Sequence, residues 1–127
     1  MAKTSHDLVV EAKSKIKEVS VVDARAMIQS GAVVLDVREP GEFENGHVPG
    51  AINVPRGLLE FKLAATPELN QPDTPIVVYC KTSGRSALAV ATLADMGVTN
   101  TVNMGGGYDA WAEAGYPTDK PPAIDYN

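Results

Sequence analysis

The chain has a single cysteine, Cys80, within "VVYCKTSGRSA" (Val77 to Ala87). It ends an apolar run and is followed by Lys81, Thr82, Ser83, Gly84 and Arg85. A thiolate is a strong nucleophile, and its reactivity depends on how the surroundings treat negative charge. The helical pattern "RSALAVATLADMG" begins about five residues after the cysteine. The sulfur should therefore lie near unpaired amide N–H groups at a helix start, where the helix dipole favours an anion. Lys81 and Arg85 add positive charge. The competing reading is that Cys80 is a small buried hydrophobe closing a strand, a common role for free cysteine. The five residues "KTSGR" are small, hydroxylated or cationic, which suits an anion pocket better than a core.

The elements that must position this loop alternate along the chain. Residues 6 to 18 read as a short helix within an N-terminal helical extension, residues 1–18, to a domain spanning 19–127. Ser20 with Asp23 gives an N-terminal helix signal for "VVDARAMIQS", and Gly31 stops it. "AVVLDV" (Ala32 to Val37) and "IVVYC" (Ile76 to Cys80) are continuous apolar, β-branched runs, the pattern of strands buried on both faces. Pro40 opens a helical turn in "PGEFENG". Ala51 to Val54 forms a short strand, "GLLEFKLAATPEL" is helical, "TNTVNM" is a further strand and "YDAWAEAG" a last helix. A proline-rich tail follows. Alternating strands and helices with short connections predict an α/β fold with a mostly parallel sheet. Ligands of such sheets bind at the carboxyl ends of strands, which is where Cys80 falls.

Composition narrows the function. The 127 residues suit one domain, 44% of them are hydrophobic, and no apolar stretch approaches the ~20 residues of a membrane span. The net charge of −5, from 11 Lys+Arg and 16 Asp+Glu, argues against a nucleic-acid surface. One cysteine excludes an internal disulfide, and with no export signal in the first residues the expected location is the cytoplasm. Two distant histidines, His6 and His47, make no metal site with it. His47 could be a general base, but "GHVPGA" reads as a packed turn. Trp111 and Tyr79 read as core. Gly105 to Gly107 lack the Gly-Lys-Ser/Thr of a phosphate loop; they let backbone pass close to the Cys80 loop.

Three stretches carry a family resemblance: "VVLDVREPGEFENGHVPGAINVP", "IVVYCKTSGRSALA" and "NMGGGYDAW". Across about residues 19 to 118 the chain resembles a single-domain rhodanese, a thiosulfate- or persulfide-dependent sulfurtransferase. The resemblance implies a rhodanese-like α/β fold, a central parallel sheet of about five strands with helices on both faces. It implies Cys80 as the nucleophile, carrying sulfur as a persulfide. Lys81, Thr82, Ser83, Gly84 and Arg85 would form the substrate loop, with Asp36 and Arg38 bracing that loop and the neighbouring chain. No cofactor or metal is implied. The partners would be a small sulfur donor (thiosulfate or a low-molecular persulfide) and a thiol, cyanide or protein acceptor, with neither nucleic acid nor membrane. A non-catalytic rhodanese-like carrier, sensor or docking module is the alternative. The motif is Cys-x4-Arg, one residue shorter than the Cys-x5-Arg of tyrosine phosphatases, and the shorter ring suits sulfur rather than phosphate. Two departures from the family bear on the donor. Thr82 stands where some thiosulfate-using members carry a second cation, and Glu42 where they carry a substrate-binding arginine. Thiosulfate is therefore expected to be a poorer donor than a persulfide.

Overall fold

A computed structural model describes residues 2–120. The sheet has five parallel strands: β1 (Glu18–Val19), β2 (Val33–Asp36), β3 (Ile52–Asn53), β4 (Ile76–Tyr79) and β5 (Thr101–Met104), in the order β1-β5-β4-β2-β3. The central strand β4 is buried along its whole length. Its side chains alternate between two cores, as strand geometry requires. Ile76, Val78 and Cys80 pack with Leu35, Val90 and Leu93 on one side; Val77 and Tyr79 pack with Val34, Ala24 and Trp111 on the other. This is the α/β architecture expected, with helices covering both faces.

On the first face lie α1 (Ser5–Lys13), α4 (Leu59–Lys62) and α5 (Gly84–Asp95); on the second lie α2 (Val21–Gln29) and α6 (Gly107–Glu113). A short helix α3 (Pro40–Glu44) follows β2, with proline in its first turn. The N-terminal helix is shorter than the 6 to 18 expected. It starts at a reciprocal capping box between Thr4 and Asp7 and ends at Lys13, because the chain must turn to pair with β5, where the Asn103 amide donates to the Lys17 carbonyl at 2.9 Å. The resulting strand β1 has two residues, too few to give a sequence signal. The expected Ser20 cap is present, its hydroxyl accepting from the Asp23 amide at 3.1 Å.

The segment 57–69 is not one helix. Two short 3₁₀ turns (Leu63–Ala65 and Pro67–Leu69) follow α4. Pro67 ends any continuous helix, since its ring disfavours helical backbone at Thr66. The Asn70 side-chain amide donates to the carbonyls of Leu63 and Thr66, replacing the lost backbone partners, while Leu59, Leu63 and Leu69 still reach the core. The end of the proline-rich tail, 121–127, lies outside the described residues.

The chain between β5 and α6 crosses directly behind the loop after β4. Gly107 sits at φ +59°, and a Cβ there would lie 2.6 Å from each of the carbonyl oxygens of Cys80, Lys81 and Thr82. Only glycine fits, on both conformational and steric grounds. Gly107→Ala should cost about 2–4 kcal/mol in urea unfolding, from left-handed backbone plus displaced carbonyls. Gly31→Ala is the control, with φ +105° but open space around the added methyl, and should cost roughly 1–2 kcal/mol. Equal losses for the two would show that the crossing is not tight.

Candidate functional site

Cys80 lies immediately beyond β4 and is 1% exposed. Because Tyr79 occupies the α6 side of the sheet, strand alternation puts the thiol on the α5 side, facing the start of that helix. The amides of Tyr108 and Asp109 donate to the carbonyls of Cys80 (2.8 Å) and Lys81 (3.1 Å). In a trans peptide the N–H points opposite to the C=O. Pinning those carbonyls toward α6 therefore turns the Lys81 and Thr82 N–H groups the other way, toward the sulfur's side of the loop. The first amides of α5 have no acceptor within the helix. The Ser86 hydroxyl lies 3.3 Å from Cys80 Sγ and 3.2 Å from the Ser83 carbonyl oxygen, so it can donate to either. The arrangement offers an anionic sulfur several donors and little competing negative charge from carbonyls. No residue from 81 to 85 has positive φ, Ser83 and Gly84 included.

The two loop cations are both engaged by acids. Arg85 makes two bonds to Glu42, at 2.7 and 3.0 Å, and Lys81 Nζ donates to Asp109 at 2.7 Å. Thr82 is exposed at the loop tip. Glu42 is held down to about 2, first by the Arg85 hydrogen bonds and also by a bond from the Glu39 amide, against the opposing effect of burial. Arg85 is correspondingly held more firmly protonated, chiefly by Glu42.

Asp36 and Arg38 form a buried ion pair, 0% and 4% exposed, with bonds of 2.8 to 3.1 Å. Neither bonds residues 81–85. Arg38 also donates to the Gly46 carbonyl at 2.7 Å and lies over the Tyr108 ring at 4.4 Å. Asp36 accepts from the Tyr79 hydroxyl at 2.7 Å, and that hydroxyl accepts from the Val48 amide at 3.1 Å. Burial and the Asp36 carboxylate push the Tyr79 phenol up; burial opposes the Arg38 charge, but Asp36 outweighs it and the guanidinium stays protonated. The pair thus braces the chain around α3 and α6, and reaches the loop through Tyr108. A shallow cavity of about 260 Å³, lined by Arg38, Glu42, Lys81, Tyr108 and Asp109 among others, opens beside it.

Tyr79 is a core residue as its strand position indicated, but its hydroxyl is also part of this polar network. Ser86, Tyr108 and Asp109 were not singled out from sequence. Ser86 had a signal, lying in the first turn of the helix after the cysteine; the other two act through backbone amides and through side-chain contacts with Lys81 and Arg38 across the fold, neither of which leaves a sequence signal. His47 stacks on Phe43 with ring centroids 3.7 Å apart, and its Nδ1 is 3.0 Å from the Phe43 carbonyl oxygen, consistent with a packed turn. Trp111 is buried and donates to the Pro117 carbonyl at 2.7 Å, and His6 is exposed on α1.

The rhodanese-like domain model matches residues 15–114. Protein HIGH ARSENIC CONTENT 1, mitochondrial, of Arabidopsis thaliana is 35% identical over 135 residues, covering 94% of this chain and 80% of its own. Thiosulfate sulfurtransferase 16, chloroplastic, from the same organism is 40% identical over 109 residues, covering 79% and 90%. A solved structure from Rhodopseudomonas palustris, a protein of unknown function described as a possible tyrosine phosphatase, superposes with a TM-score of 0.87 at 35% identity, covering 94% of this chain and 96% of that one.

The Glu42–Arg85 pair predicts a specific pH dependence. The carboxylate's folded value of about 2 lies below its ordinary 4.5, so its contribution is present above about pH 4.5 and is lost as pH falls through about 2. Both side chains are partly in water, 39% and 32% exposed, and screening reduces the pair's worth to roughly 1 kcal/mol. Urea unfolding of wild type and Glu42→Gln should differ by about that much at neutral pH, and the gap should close toward pH 2. A gap that is constant over this range would mean Glu42 acts through packing rather than charge.

Proposed function

This chain belongs to the family of rhodanese-like domains, and on that premise we propose that it is a sulfurtransferase working through a Cys80 persulfide. The observation that carries the proposal is the start of the loop, where the Cys80 and Lys81 carbonyls bond α6 amides, so that the amides following them turn toward the sulfur's side. The Cys80 thiolate attacks the outer sulfur of thiosulfate or of a persulfide. A new S–S bond forms at Sγ, the donor's S–S bond breaks, and sulfite or a thiolate leaves with the electron pair. The outer sulfur of the enzyme persulfide then carries the negative charge, and the amide cradle and the Ser86 hydroxyl stabilise it. A thiol, cyanide or protein nucleophile attacks that outer sulfur and releases the Cys80 thiolate, closing a two-step cycle. The site works in a compartment that keeps the thiol reduced, for which the cytoplasm is our proposal.

One observation favours a second reading. Cys80 is 1% exposed, which suits a domain that stores or senses sulfur with negligible turnover. Phosphate chemistry, suggested by the description of the R. palustris relative, is disfavoured by the six-residue Cys-x4-Arg loop and by Glu42 holding Arg85. Incubation with thiosulfate should add one sulfur atom to the intact mass, removable by cyanide or reductant, and Cys80→Ser should abolish both labelling and turnover. Labelling without turnover would select the storage reading. Aryl phosphate hydrolysis above background, with no sulfur transfer, would sink both.

Donor preference is testable at Thr82. Thiosulfate is a dianion, yet Lys81 and Arg85 each have an acid beside them. A lysine at position 82 adds an unpaired charge at the loop tip. At ~5 Å and an effective dielectric between ~20 and ~80, this amounts to about 1–3 kcal/mol before screening. Thr82→Lys should raise kcat/KM for thiosulfate roughly three- to tenfold at low salt, mostly through KM. The gain should shrink with salt and be small for a neutral persulfide. A salt-insensitive gain would show that residue 82 acts through loop shape.

A further inference from the structure

Among the described residues, three α-helices start behind a serine or threonine, and one of them breaks the rule. Thr4 and Ser20 sit in extended backbone (ψ 168° and 166°) and accept from the amide three residues on, capping α1 and α2. Ser83 occupies the same position before α5, with φ −171° and ψ −9°, and its side chain makes no cap bond. Its hydroxyl oxygen accepts instead from Lys13 Nζ at 2.6 Å. Lys13 is itself steered by Glu18, 3.6 Å away, and Glu18 accepts at 2.9 Å from the side-chain amide of the fully buried Asn103. The same Asn103 amide group lies 3.4 Å from the Ser83 carbonyl oxygen. The α1 helix also touches the loop directly, Val9 Cγ2 lying 3.5 Å from where a Gly84 Cβ would stand.

A serine that caps its own helix consumes an amide at the helix start. Here that amide would be one of the first of α5, the helix on whose side of the sheet the thiol packs. We propose that Lys13 is a positioning residue for the Cys80 loop: by holding the Ser83 hydroxyl, it keeps Ser83 from capping α5 and leaves the helix's first amides free for the anionic sulfur. Lys13 lies before the matched family region, which begins at residue 15, so the N-terminal helix contributes to a site otherwise built from the family domain. The inference rests on the sulfur-transfer reading for its effect on turnover, but its effect on thiol reactivity does not.

The test compares Lys13→Met, Lys13→Arg and the double variant Lys13→Met/Ser83→Ala, with Lys3→Met as a control. Lys3 pairs with Glu11 on the same helix and does not bond the loop. Two rates are read: alkylation of Cys80 by iodoacetamide at neutral pH, and kcat and KM with thiosulfate and cyanide. Loss of one partly exposed, charge-assisted bond should slow alkylation and kcat roughly three- to tenfold in Lys13→Met, with KM little changed. Lys13→Arg should keep most of both rates. Alanine at position 83 cannot cap, so the double variant should recover toward wild type although it lacks both bonding groups. Urea midpoints separate this from general destabilisation, and Lys13→Leu carries the same test if Lys13→Met does not fold. Wild-type rates in Lys13→Met, the same slowing in Lys3→Met, or a double variant as slow as Lys13→Met would each overturn the inference. If the wild-type chain transferred no sulfur but alkylation followed the expected pattern, the inference would stand and the sulfur-transfer reading would fall.

Discussion

The site depends on one close approach of backbone to backbone. Gly107 lies against the carbonyls of Cys80, Lys81 and Thr82, and the next two amides bond the first two of those carbonyls. Loops normally satisfy their carbonyls with water or with their own side chains. Here another segment of main chain takes them, so the loop's polarity is sorted: acceptors toward α6, donors toward the thiol. The sorting needs no charged residue, which explains how Lys81 and Arg85 can both be engaged by acids while the cradle persists.

Behind that crossing stands the Asp36–Arg38–Tyr79 network. Burying an ion pair is costly unless nearly every polar atom finds a partner. Asp36 takes bonds from Arg38, from the Arg38 amide and from the Tyr79 hydroxyl, and Arg38 reaches the Gly46 carbonyl. The network joins the ends of two adjacent strands, β2 and β4, to the turn after α3. Arg38 also carries the Tyr108 ring, and the Tyr108 amide holds the Cys80 carbonyl. The geometry of the thiol is thereby coupled to a rigid polar core beneath it rather than to the mobility of a surface loop. Glu42 and Arg85 then tie α3 to the start of α5, bridging the mouth of the loop.

Much of this was legible in order along the chain. The two apolar runs became β2 and β4 because continuous β-branched sequence has few other buried forms. Cys80 at a strand end, a short flexible loop and a helix with a strong apolar pattern fixed the place of the chemistry. The triple glycine marked the close approach, because only backbone without a Cβ can pass there. The broken 57–69 segment was less legible: its composition is helical, and the proline's effect on Thr66 decided against it.

What the sequence could not decide is which charges meet. Arg85 finds Glu42 across 43 residues, Lys81 finds Asp109 across 28, and Lys13 finds Ser83 across 70. Read linearly, Lys81 and Arg85 were cations framing a pocket, and Lys13 was one residue of a short N-terminal helix. Long side chains have no periodicity that names their partners, and their pairing is set by where the sheet order β1-β5-β4-β2-β3 brings the helices. Local pattern determined the strands, the loop and the thiol, because those follow from the preferences of neighbouring residues. Tertiary structure alone decided the loop's charge balance and the state of its serine, because those depend on distances between segments that only packing brings together.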